Sequence, residues 1–70
     1  MTYSMTELWQ MFLGNLEHNA NEDIRHAYVL MERDRYQVGM HDQQLRDRVS
    51  SGAYGSTVQR MWGQFQAANK

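Results

Sequence analysis

The side chains able to do chemistry are few and poorly grouped. The 70-residue chain carries three histidines, eight carboxylates and no cysteine. Glu22 and His26 stand i, i+4, on one face of a helix, with His18 a short way upstream across a helix boundary. A closed zinc site needs four ligands and a catalytic one three. Without cysteine and without a His-Glu-x-x-His spacing, these residues read as a solvated surface pair, and no metal or cofactor is expected. Ser50, Ser51 and Ser56 lack the Gly-x-Ser-x-Gly setting that exposes a nucleophile. The carboxylates of Asp23, Glu32 and Asp34 alternate with Arg25, Arg33 and Arg35, as on an ion-paired surface. Gly52 and Gly55 are not followed by the Gly-Lys-Ser/Thr of a phosphate-binding loop. The chain is expected not to be an enzyme and to have no small-molecule substrate, since a domain this small has little room for an enclosing pocket.

Size and charge bound the remaining classes. A single domain spanning residues 1–70 buries only about 60% of the surface its unfolded chain exposes, so it gains from outside support. Disulfides and thiolate metal sites are excluded, which leaves self-association as a homodimer or the burial of a face against a partner. The net charge of -1 fits neither a strongly basic nucleic-acid binder nor an acidic mimic of nucleic acid. Its distribution is uneven: residues 1–35 hold six acids against three arginines, and residues 36–70 hold Arg46, Arg48, Arg60 and Lys70 against Asp42 and Asp47. Met1-Thr2-Tyr3-Ser4-Met5 has no basic start or long apolar run, so no secretory signal is expected. Nothing nears the roughly 20 apolar residues of a membrane span. A cytoplasmic protein with no membrane contact is the expectation.

The elements are read from periodicity and capping. Ser4 with Glu7 forms a capping-box pattern before Met5, Leu8, Trp9, Phe12, Leu13 and Leu16, which predicts a helix over about 5–18. Asn19 suits a left-handed helix end and Asn21 a helix cap. From there Ile24, Ala27, Tyr28, Met31 and Val38 share one face of a helix over about 22–38, ended by Gly39 with Met40 folding back. Val29, Leu30 and Tyr36 lie elsewhere on its circumference, so this helix is expected at the centre of the domain. Asp42 suits the cap of a shorter helix over about 43–50 that buries Leu45 and Val49. After a glycine-containing turn, Ser56 and Gln59 form a second capping-box pattern before a helix over about 57–67. No stretch shows sustained strand alternation. The fold expected is all-α, a compact bundle of three to four helices. Trp9, Phe12, Tyr28, Trp62 and Phe65 are its predicted large core residues, with Met5, Met31, Met40 and Met61 filling gaps.

Residues Gln44 to Trp62, a short helix, a glycine-containing turn and a second helix, resemble a helix-turn-helix DNA-binding unit over about a quarter of the chain. The resemblance implies that the second helix enters the major groove. Ser56, Thr57, Gln59 and Arg60 would then face base edges, and Arg46 and Arg48 would meet phosphates. The Gly52 to Gly55 turn is longer than the tight turn of that family, and Arg46 stands where the family has a small buried residue.

A second surface is suggested by surplus apolar side chains. Met11, Val29, Leu30, Tyr36 and Tyr54 exceed what a minimal helical core must bury, and methionine and tyrosine are favoured in interfaces. They predict a small interaction module that regulates or inhibits a larger protein by binding it. Its size and lack of catalytic motifs would suit a phage- or plasmid-type accessory factor. A DNA-binding regulator using residues 42–66 is the alternative.

Overall fold

The computed structural model describes residues 2–70. Four helices follow in order: α1 (Met5–Glu17), α2 (Glu22–Arg33), α3 (Asp42–Ser51) and α4 (Ser56–Ala68); α2 runs on into a π turn, Asp34–Val38. No strand occurs among the described residues, and the bundle measures 35 × 25 × 20 Å. α1 packs chiefly on α2, α3 on α4, and contacts of α1 and α2 with α4 close the core.

Local signals set most boundaries. The Ser4 hydroxyl accepts from the Glu7 backbone N–H, and the Glu7 carboxylate accepts from the Ser4 N–H, each at 3.2 Å. Both satisfy donors that a helix start leaves unpaired. Asn21 caps α2, its Oδ1 accepting from Asp23 N–H at 2.8 Å and Ile24 N–H at 3.4 Å. Gly39 takes the left-handed conformation, φ 86°, that ends the second helix.

Three end signals act differently from the expectation. Asn19 is not left-handed; its side chain instead accepts from Asn21 N–H at 2.8 Å. α3 starts one residue earlier, with His41 at the cap, because the Gln44 side chain takes the His41 N–H at 2.9 Å. That leaves Asp42 for tertiary partners: the Trp9 indole N–H at 3.3 Å and the Arg35 guanidinium at 2.7 Å. The Ser56 and Gln59 capping pair does not form. Gly55 occupies the cap of α4, and Gln59 reaches back to donate to the Ser50 carbonyl at 2.8 Å.

The organising helix is α1, not the second helix. α1 buries Leu8, Trp9, Phe12, Leu13 and Leu16, whereas α2 buries only Ala27 and Met31. Trp9, Phe12, Trp62 and Phe65 form an aromatic cluster with centroids 5.0–5.6 Å apart in tilted and edge-on pairs, the favoured arrangement for ring quadrupoles. Leu45, Val49 and Val58 complete the core, and Met31 fills it. Tyr28 is only half-buried at its margin, and Met5 is exposed, turned away by its position before the first buried residue of the stripe.

Candidate functional site

The predicted interface residues do not form one patch. Val29 and Tyr36 stand in solvent on the second helix, Tyr36 with 76% of its surface exposed. Leu30, on the same helix, is half-buried and packs against the core. Tyr54 is a core residue, 8% exposed, and is withdrawn from the interface set. Its ring closes the α3–α4 turn because its hydroxyl has a buried partner, Asp34, to which it donates at 2.5 Å.

Met11 marks a site that the other predicted residues do not share. Tyr3, just before α1, with Leu8 and Met11 in its first turns, faces Gln64, Phe65 and Ala68 at the end of α4 and Asn69 at its cap, across a cleft of about 320 Å³. Its wall is held by a clasp between the two ends of the chain. Tyr3 N–H donates to Asn69 Oδ1 at 2.7 Å, and Asn69 Nδ2 donates to the Tyr3 carbonyl at 2.9 Å. The polar atoms of the clasp therefore satisfy one another, and the lining left for an occupant is predominantly apolar. Leu8 with Met11, and Phe65 with Ala68, are i, i+3 pairs, each half of the cleft. Only the packing of α1 on α4 brings the halves together.

A second cleft, about 370 Å³ and mostly polar, runs between α1 and the second helix past Gly14, Glu17, Tyr28, Glu32, Arg35 and Tyr36. Burial at its wall, together with the charges of Glu32 and Glu17, pushes the Tyr28 phenol up to about 12. Arg35 bridges Glu32 at 3.6 Å and Asp42 at 2.7 Å, tying the second helix to α3.

Asp34 is the buried polar residue of the core, 3% exposed, where the alternating charges predicted a solvated surface. Besides Tyr54, Arg33 donates to its Oδ1 at 3.2 Å, and the Arg48 guanidinium lies 3.9 Å from its Oδ2. The Tyr54 hydrogen bond, followed by the Arg33 and Arg48 charges, holds the Asp34 carboxyl below its ordinary value. Tyr54 shifts the other way, raised by burial and by donating to a carboxylate.

The residues assigned by the helix-turn-helix resemblance divide in two. Ser56, Thr57, Gln59 and Arg60 are exposed on the first turns of α4. Arg46 and Arg48 are engaged within the fold: Arg46 lies 5.9 Å over the Trp9 ring and donates to Gln43, and Arg48 lies 5.6 Å over the Tyr54 ring. His18, Glu22 and His26 are all in solvent. No family model, curated protein or solved structure matches the chain. No helix is long and apolar enough to cross a membrane among the described residues.

The sequence reading missed Tyr3, Leu8, Phe65, Ala68 and Asn69 as neighbours of Met11, and Asp34 as a buried anchor. The spacing of Leu8 with Met11 and of Phe65 with Ala68 was a usable signal for each half of the cleft. Nothing local marks Asp34, whose main partner is 20 positions away.

Proposed function

We propose that this chain is a small helical protein-interaction module that regulates or inhibits a larger protein partner by binding it in the cytoplasm. The observation that supports the reading is the apolar cleft between the start of α1 and the end of α4. Because the Tyr3–Asn69 clasp consumes its own polar atoms, the occupant that fits is an apolar side chain of the partner. A volume of about 320 Å³ stands at the lower end of small-molecule pockets, room for one large side chain and its surroundings. Full burial of a leucine- or phenylalanine-sized group contributes roughly 1.5–3 kcal/mol, the size of an interface hot spot. Met11 and Tyr3 at the rim supply further apolar area. Such a binder needs no catalytic group, as a phage- or plasmid-type accessory factor acting on a host protein would not. Self-association through the same cleft would make it a homodimer.

The test is capture from a nuclease-treated lysate with tagged wild-type protein and Met11→Lys side by side, each checked for helicity. One stoichiometric protein retained by wild type and lost from Met11→Lys supports the reading. Identical retention by both contradicts it.

A second reading, a DNA-binding regulator, is favoured by one observation. No carboxylate side chain follows Asp47, so the α3–α4 turn, α4 and the residues after it offer Arg60 and Lys70 with no acidic side chain among them. The first turn of α4 also has no side-chain cap, which leaves N–H groups free beside the Ser56 and Thr57 hydroxyls. On this reading Arg60→Ala weakens binding to mixed-sequence duplex DNA and lowers the salt slope by about one. No affinity for duplex at low salt rules it out.

A further inference from the structure

The polar cleft between α1 and the second helix has a gap at its centre. Gln10, Leu13, Gly14 and Glu17 stand at i, i+3, i+4 and i+7, so they form the α1 wall as one stripe with the glycine in its middle. Glycine is a poorer helix former than alanine, yet nothing within the chain requires it here. A Cβ at Gly14 would meet no atom within 4 Å. What the missing side chain does is keep open the cleft of about 370 Å³.

The charge in this cleft is unbalanced. Glu17 is the last residue of α1, where the helix carbonyls already carry partial negative charge, and the last turn of α1 has no basic side chain. Among the described residues Glu17 makes no ion pair. On the opposite wall Glu32 has Arg35 at 3.6 Å, but Asp42 holds that guanidinium more closely, at 2.7 Å. One arginine is shared by two carboxylates, and none serves Glu17. Burial and the charges of Glu32 and Glu17 push the Tyr28 phenol up to about 12, so it stays neutral and the negative charge rests on the two glutamates. Tyr36, 76% exposed, stands at the rim.

This combination selects an occupant. Two carboxylates favour a cation, two tyrosines favour one with a flat face, and a gap left by one missing side chain admits a slender stem. An ammonium group is compact and strongly hydrated. A guanidinium is planar and weakly hydrated, stacks on aromatic rings and forks between carboxylate oxygens. We propose that the Gly14 cleft is a binding site for an arginine side chain of the protein partner, with the guanidinium between Glu17 and Glu32 beside Tyr28 and Tyr36, and its stem over Gly14. That the arginine belongs to a protein rests on the protein-interaction reading. The guanidinium site itself does not, and it shares no residue with the Met11 cleft.

The experiment is an NMR titration of the full chain with N-acetyl-arginine methylamide at constant ionic strength, following the Gly14 and Glu17 amides and the Tyr28 and Tyr36 rings. The lysine analogue and the uncharged citrulline analogue are the comparison probes. The arginine probe should give saturable shifts at those residues with a dissociation constant on the order of millimolar. The lysine probe should bind several-fold more weakly and the citrulline probe not at all. Glu17→Gln, at an exposed position, should weaken the arginine probe by about threefold to fivefold. Gly14→Ala should raise the denaturant midpoint, since alanine is the better helix former and its methyl meets no neighbour, and yet weaken the probe by filling the gap. Met11→Lys, which alters only the other cleft, should bind the probe as wild type does, so this result and the capture of a partner succeed or fail separately. No saturable shift, equal binding of the citrulline or lysine probe, or an affinity unchanged in Glu17→Gln or in Gly14→Ala overturns the arginine site.

Discussion

Leu45→Ala tests how α3 is held to the rest of the bundle. α3 has only two buried side chains, Leu45 and Val49, and both are fully buried. Its polar attachments are partly solvated: Asp42 to Trp9 and Arg35, Arg46 over the Trp9 ring, Arg48 beside Asp34 and Tyr54, and the Ser50 carbonyl to Gln59. Truncating a buried leucine to alanine costs about 2–5 kcal/mol, combining lost transfer energy with the cavity left behind. A domain of this length has roughly 3.5–10 kcal/mol of total stability. The substitution should therefore remove about a fifth of the whole or more. Urea unfolding, followed both by far-UV circular dichroism and by the fluorescence of Trp9 and Trp62, measures it. Both tryptophans are in the core and 5.2 Å apart, so fluorescence reports that core while dichroism reports all four helices. The two transitions should coincide in wild type and variant, with a lower midpoint and an unchanged slope in the variant. Met5→Ala, at an exposed position, should stay within about 0.5 kcal/mol of wild type. A loss under about 1 kcal/mol for Leu45→Ala, or a helicity transition that precedes the fluorescence transition, would show that α3 is not part of the cooperative core.

Other outcomes follow from the same structure. The Asp34 carboxyl is held below its ordinary value of 3.8, so its contribution to stability is present above about pH 4 and is lost as pH falls through the folded value. Asp34→Asn should flatten that acid limb in a series of denaturation midpoints. The Tyr28 phenol is raised from 10.0 to about 12, so its contribution is present below pH 10 and lost as pH climbs between those values. Tyr28→Phe should flatten the alkaline limb. Gly52→Ala meets both a left-handed backbone, φ 86°, and the Gln59 side chain at 3.3 Å, whereas Gly39→Ala meets the same φ with open space. Each should lose about 1–2 kcal/mol by thermal or chemical denaturation, with Gly52→Ala the more costly.

What could be read in the sequence was local. With the π turn Asp34–Val38 counted as the end of the second helix, the four helices lie within two residues of their expected ends, because capping side chains such as Ser4 and Asn21 act on backbone groups two or three positions away. The all-α architecture and the aromatic core of Trp9, Phe12, Trp62 and Phe65 followed from periodicity for the same reason. The misplaced residues depend on distant partners. Asp34 sits between two arginines in sequence and so resembles a surface acid, but Tyr54 draws it inward. Tyr54 in turn looked like surplus surface until its hydroxyl had that acceptor. Val38 fits the buried stripe and is expelled by a π turn, which no short-range pattern signals. The cleft joins Tyr3 to Asn69, 66 positions apart, so its halves were visible and their meeting was not.

The most direct test of the protein-interaction account is the capture of a partner by wild type and Met11→Lys from lysate with and without nuclease treatment, with the mass of each eluted complex measured. The account predicts a defined complex with wild type that is absent for a Met11→Lys protein of unchanged helicity. Equal complexes from both proteins, or material from wild type that disappears with nuclease, would contradict it; the latter would move the argument to Arg60 and the first turns of α4.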